Sequence, residues 1–256
     1  MESIGGLSAS LEANLGVGSG TAQVFTWLVI LSVCYLLLQI LQASFGGILK
    51  KSRARGNLTL LFGQCGAGKT ALFFRLRDQE EVQSVSSLNP IRDSFKVKVG
   101  EEQSIGPIEI VDYPGHLRYR NKANELVKEA RCIVYVVDSD DKQRLKDVAE
   151  HLYELMTLKD ILELQTPLLL ALNKCDLTSA RSEKYVIEEI EREIEQMRVS
   201  RAATLEGQDS ADSFLGVDGQ KFKLLEHSPC PIQVCRISVK QPDLDPVLDF
   251  IQQHYT

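Results

Sequence analysis

The feature that most limits what this chain can become is Gly63-Gln64-Cys65-Gly66-Ala67-Gly68-Lys69-Thr70. It fits the pattern G-x-x-x-x-G-K-[ST], and its flanks fit as well. The apolar run Leu58 to Phe62 reads as a buried strand, and the apolar stretch Ala71 to Leu76 reads as a helix. A strand that turns this sharply into a helix aims backbone N–H groups inward at one point, and the helix start adds unpaired donors and the positive end of its dipole. The expected ligand is a phosphate chain, with Lys69 reaching the β- and γ-phosphates and the Thr70 hydroxyl on Mg²⁺.

The rest of the chain is read around that loop. Ser94 to Val99 alternates apolar Phe95, Val97 and Val99 with Lys96 and Lys98, which predicts a half-exposed strand, antiparallel at a sheet edge. Gly100 to Gly106 is expected to be a turn, and Ile108 to Val111 the next strand. That strand ends in Asp112-Tyr113-Pro114-Gly115-His116. A carboxylate at the C-terminal end of a strand beside a phosphate loop is placed to hold Mg²⁺, and Gly115 lets the backbone offer its N–H to the γ-phosphate.

Asn124 to Ala130 reads as a short helix, and Cys132 to Val137, ending in Asp138, as a buried parallel strand. Leu145 to Met156 has apolar residues at helical spacing; His151 and the acids are assigned to its outer face. Pro167 to Leu172 is another buried strand, and it ends in Asn173-Lys174-Cys175-Asp176. A carboxylate there accepts two donors from a guanine edge, a pair adenine lacks. The Lys174 stem is expected to cover the base and Asn173 to tie the loop together. Ser182 to Arg198 reads as a helix with Ile187, Ile190, Ile194 and Met197 inward and acids opposite. Residues 201–221 are polar and read as an exposed, mobile insertion. Ile232 to Ile237 is the last strand, closed by Ser238-Val239-Lys240, whose N–H groups are candidates for the guanine carbonyl. Leu244 to Ile251 is the closing helix.

The first 56 residues have a different composition. Residues 1–23 are rich in Gly, Ser and Ala and read as flexible; Val24 to Leu41 carries no charge. As a helix that run spans roughly 27 Å, close to a bilayer core. Lys50, Lys51, Arg53 and Arg55 follow, which puts the remainder in the cytosol. A secretory leader wants a basic start and a shorter apolar run, and a core or surface helix would carry polar residues on some face. Met1-Glu2 does not fit N-myristoylation, and the last four residues are no prenylation box, so the run itself is expected to be the anchor. The expected organisation is 1–23 lumenal, 24–43 transmembrane, 44–56 a basic linker and 57–256 a cytosolic domain. A net charge of −6 gives no reason to expect direct nucleic-acid contact. The six cysteines are scattered and suit a reducing compartment.

In this order, G-x-x-x-x-G-K-T, D-x-x-G, N-K-x-D and S-V-K resemble the Ras-like small GTPase superfamily over roughly residues 57–256. That resemblance implies an α/β fold with a mostly parallel central sheet and helices on both faces, here preceded by one transmembrane helix. The membrane run, the Asp-x-Pro-Gly-His form of the second motif, the stretch Leu145 to Tyr153 and the insertion before the last strand are similar to the family of signal recognition particle receptor beta subunits. The family implies GTP or GDP with Mg²⁺, and a seat at the endoplasmic reticulum membrane. It also implies a receptor alpha subunit bound through the switch regions of the GTP form, with ribosome and translocon as neighbours. It offers Ser87, with Ser86 second, as the switch I hydroxyl on Mg²⁺ beside Thr70 and Asp112. The nucleotide contacts it implies are Gly63 to Thr70, Gly115, Asn173, Lys174, Asp176 and Ser238 to Lys240. His116 stands where many relatives in the superfamily have a catalytic Gln, and Cys65 puts a side chain near the attacking water. Both point to slow or partner-dependent hydrolysis. An Arf- or Sar-like vesicle-coat GTPase is the alternative, and the uncharged run argues against it.

Overall fold

The computed structural model describes residues 56–80, 89–100, 103–205, 215–217, 219–241 and 244–255, together with Leu28, Leu31 and Ser32. Residues 54–256 form one compact unit and 1–53 another. In the first unit Leu28, Leu31 and Ser32 are helical, with both leucines exposed; the expected span otherwise lies outside the described residues. Among the described residues no helix is long and apolar enough to cross a membrane.

The larger unit alternates strands and helices: β1 (Leu58–Gly63), α1 (Lys69–Asp78), β2 (Ile91–Val99), β3 (Gln103–Asp112), α2 (Arg120–Glu125), β4 (Ala130–Asp138), α3 (Leu145–Thr157), α4 (Lys159–Leu164), β5 (Leu168–Asn173), α5 (Glu183–Leu205), α6 (Leu224–His227), β6 (Ile232–Arg236) and α7 (Asp245–Tyr255). The strands make one sheet in the order β2-β3-β1-β4-β5-β6. β2 pairs antiparallel with β3 at the edge, as its alternating pattern requires, and the other neighbours are parallel.

The inner strands are continuous apolar runs because both faces of the sheet are covered. Leu58, Leu60 and Phe62 of β1 pack with Ile133, Tyr135 and Val137 under α3 and α5. Leu61 faces the other way, with Val134 and Val136, under α1 and α7. Full burial of each such Leu contributes about 1.5–3 kcal/mol. Because β1 is flanked by β3 on one side and β4 on the other, the chain reverses direction across the sheet there. The crevice for a ligand opens at the carboxyl ends of these strands.

The helix expected over Asn124 to Ala130 lies earlier, at Arg120–Glu125 with a tighter turn Leu126–Glu129 after it, because Ala130 already opens β4. Four further expectations change. β2 begins at Ile91 and β3 at Gln103, so Gly106 lies inside a strand instead of ending a turn. Phe95 pairs with Ile108 and Val97 with Ile105, which leaves Gly106-Pro107 together opposite Lys96. The two residues that look like a turn are a bulge, which uses the same chemistry. Second, the helix predicted to stop at Arg198 runs to Leu205, inside the stretch expected to be a mobile insertion. Third, its polar residues are not all outward. Glu191 and Arg198 are buried. Arg198 donates to the carbonyls of Gln220 and Val217, at 3.1 and 2.9 Å, and Glu195 accepts the Phe222 N–H at 2.9 Å. Glu191 accepts the Leu224 N–H at 2.9 Å and the Lys223 ammonium at 2.7 Å. Helix α5 thus grips the returning end of the insertion, which buries Leu215 and Phe222.

The fourth is His151, expected outward but only 5 % exposed. Its Nδ1 lies 3.1 Å from the Tyr135 hydroxyl, and its ring is 5.5 Å from that of Phe62. Burial, helped by the positive charges of Arg120 and Lys69, lowers the imidazole pKa to about 3. An unfolded His binds its proton near pH 6.5, so from there down to about pH 3 the unfolded chain holds a proton the native one refuses. Stability is therefore lost as pH falls through that window. Between pH 7.5 and 5.5, urea unfolding of wild type should lose about 1.4 kcal/mol more than that of His151→Gln, which keeps a partner for Tyr135. Equal losses would contradict the burial of a neutral imidazole.

Candidate nucleotide site

Five segments converge at the carboxyl ends of the strands. The loop Gly63 to Thr70 leads from β1 into α1 without an acidic residue in the first helical turn and without a side-chain cap on its N-terminus. The N–H groups of that end are thus left to an anion. The Lys69 ammonium is buried and donates to the Gln64 carbonyl at 2.9 Å, which curls it over the loop. Burial pushes its pKa below the usual lysine range, while Asp112 and Cys65 pull it back. A buried cation here is suited to an anionic ligand.

Asp112, at the end of β3, is fully buried, and the Thr70 hydroxyl donates to its Oδ2 at 2.5 Å. This pairing of hydroxyl and carboxylate supplies hard oxygen donors, the kind Mg²⁺ takes together with phosphate oxygens and water. Among the described residues no group of three or more His, Cys, Asp or Glu could hold a metal ion. Ser86 and Ser87 lie outside the described residues. Gly115 sits directly on the loop: a Cβ there would come 2.5 Å from the Gly63 carbonyl and 2.6 Å from the Cys65 nitrogen. His116 is exposed. Its Nδ1 accepts the Arg118 N–H at 3.3 Å, and its ring meets Tyr119 edge-on, so its described contacts stay within its own turn.

The other half of the crevice begins at Asn173, the last residue of β5. Its Nδ2 donates to the Ala67 carbonyl at 2.7 Å and its Oδ1 accepts the Val239 N–H at 3.0 Å. Glycine is favoured at position 68, where φ is +97° and a Cβ would lie 2.4 Å from that Nδ2. The same contact alters one expectation: the Val239 N–H is committed to Asn173, so it braces the loop instead of meeting a base. The Ser238 hydroxyl donates to Asp176 Oδ1 at 2.7 Å and fixes the carboxylate. Gly68, Ala71, Lys174, Asp176, Val239 and Lys240 line a cavity of about 250 Å³ here. An acceptor-only carboxylate in that cavity suits the two donors of a guanine edge.

Some contributors were not singled out as site residues in the sequence. Asp138, at the end of β4, takes the Lys174 ammonium and so lays the lysine stem along the cavity. Its position at a buried strand's carboxyl end was the available signal. Arg144 donates to the Cys65 carbonyl at 2.6 Å across 79 residues, and Arg75 lines the base cavity; nothing local marks either.

The family model for the signal recognition particle receptor beta subunit matches residues 54–228. The Mus musculus signal recognition particle receptor subunit beta is 33% identical over 211 residues, covering 80% of this chain and 76% of that protein. A solved structure of the mammalian SRP receptor superposes with a TM-score of 0.64 at 28% identity, covering 77% of this chain and 98% of the other. The SRb-GTP/SRX complex from Chaetomium thermophilum gives 0.62 at 19% identity over 77% of this chain and 99% of the other, a likeness of fold.

The geometry at Asp176 yields a specificity test. Asp176→Asn replaces an acceptor with a donor and should shift preference from GTP to xanthosine triphosphate by roughly a hundredfold or more, read by competition binding. Retained GTP preference would contradict the placement of the base.

Proposed function

The chain belongs to the signal recognition particle receptor beta subunit family, and on that premise we propose that it is a membrane-anchored guanine-nucleotide switch whose GTP form binds the receptor alpha subunit. The observation that carries this reading is the Asn173 side chain, bonded at once to the phosphate loop and to the segment that orients Asp176. One small amide makes the phosphate end and the base end a single site.

In this reading, Mg²⁺ neutralises phosphate charge when it is bound. The N–H groups of Gly63 to Thr70 and the Lys69 ammonium cradle the phosphates. Thr70, Asp112 and Ser87 supply oxygens to the ion, and Lys174 and Asp176 select guanine. The two switch segments are assigned to Ser84 to Asn89 and Asp112 to about Lys122. Gly115, in the second, lies against the loop, so its N–H is available to a γ-phosphate entering beside Cys65. His116 orients water for a slow hydrolysis. A γ-phosphate that draws in both switch segments orders a surface that GDP leaves loose, and it biases binding by no more than its differential affinity.

The apolar run Val24 to Leu41 holds the protein in the endoplasmic reticulum membrane, with the GTP-binding unit in the cytosol. Family membership favours this over a vesicle-coat GTPase. Two measurements test the proposal. The full-length chain in detergent should capture the alpha subunit roughly a hundredfold more tightly with a non-hydrolysable GTP analogue than with GDP. Equal capture would leave a passive tether. In alkaline-carbonate extraction of membranes the chain should stay in the pellet; release to the supernatant would remove the membrane span.

A further inference from the structure

A phosphate loop turns its N–H groups inward, so its carbonyls face outward and need partners of their own. The Cys65 carbonyl has an unusual one. Arg144 comes from the turn between β4 and α3 and donates Nη1 to it at 2.6 Å. The arginine is held from behind. Its Nε pairs with Asp141 Oδ2 at 3.1 Å, and Asp141 Oδ1 accepts its backbone N–H at 3.3 Å. The same connection begins at Asp138, which takes the Lys174 ammonium, and the carbonyl of Ser139 accepts the Arg181 N–H at 2.9 Å. Residues 138–144 therefore bridge the base-recognition segment and the phosphate loop.

We propose that Arg144 is a positioning residue for the nucleotide, clamping the phosphate loop through the Cys65 carbonyl and slowing release of the triphosphate. In a trans peptide the carbonyl and the next N–H point in opposite directions. A guanidinium on the outer face of the Cys65–Gly66 peptide polarises that unit, and the Gly66 N–H on the inner face becomes a stronger donor. Gly115 lies close to the same residue, since a Cβ there would come 2.6 Å from the Cys65 nitrogen. The peptide that Arg144 holds therefore adjoins the segment assigned to sensing the γ-phosphate, so its loss weighs more on GTP than on GDP. A charge-assisted bond of this kind corresponds to about a tenfold effect when part of it is felt by the ligand.

The inference rests on the proposed guanine-nucleotide site, and one experiment separates the two. Release of a fluorescent non-hydrolysable GTP analogue and of fluorescent GDP is followed by stopped flow from the full-length chain in detergent with Mg²⁺. Arg144→Ala should release the GTP analogue about tenfold faster and GDP by a smaller factor. Arg144→Lys, which keeps the charge and a donor, should fall between it and wild type, and Asp141→Asn should shift release in the same direction by less. Unchanged or slower release in Arg144→Ala overturns the inference. So does equal acceleration of both nucleotides without rescue by Lys, which marks a merely structural role. A wild-type chain that takes up neither nucleotide overturns the proposed function, and this inference with it.

Discussion

The Asn173 side chain is the point on which the site depends. It is 3% exposed and bonds to segments 106 and 66 residues away, so one amide fixes the distance between the phosphate loop and the Ser238 to Lys240 turn. Leaving either partner buried and unsatisfied costs about 1–3 kcal/mol. Position 68 favours glycine for its left-handed φ of +97°, and the same amide lies in the space a Cβ would take. Parallel pairing of β5 with β4 and β6 delivers Asn173 to this spot, and burial of both sheet faces holds the strands in register.

Charge completes what the hydrogen bonds begin. The protein buries both the Lys69 ammonium and the Asp112 carboxylate at the loop. Burial pushes the lysine pKa below its usual range. A phosphate chain with its divalent ion answers both, an anion for the lysine and a cation for the aspartate and Thr70. At the base end Asp176 stands at the cavity wall with one oxygen on Ser238. The two ends thus differ in kind: the phosphate end uses main-chain donors and buried charge, and the base end uses one aimed acceptor.

Most of the strands and the three nucleotide motifs are legible because each strand is a contiguous apolar or alternating run and each motif is contiguous and adjoins a strand end. The bulge at Gly106-Pro107 is not, since turns and bulges draw on the same residues. His151 was misassigned by residue type against position: it lies three residues after Val148 and four before Leu155, on the inward face, beside Tyr135 and Phe62. Glu191 reads outward for the same reason, because an acid on a helix reads as exposed until a returning segment supplies partners. Arg144 and Asp138 act across 79 and 36 residues, and no local pattern encodes such contacts.

The most direct measurement is the nucleotide carried by the full-length chain when it is purified in detergent with Mg²⁺, released by denaturation and identified by chromatography. A site organised around Asn173 and selected by Asp176 should hold close to one guanine nucleotide per chain, with no adenine nucleotide above background. Adenine in its place, or an empty chain that takes up no added GTP, would contradict it.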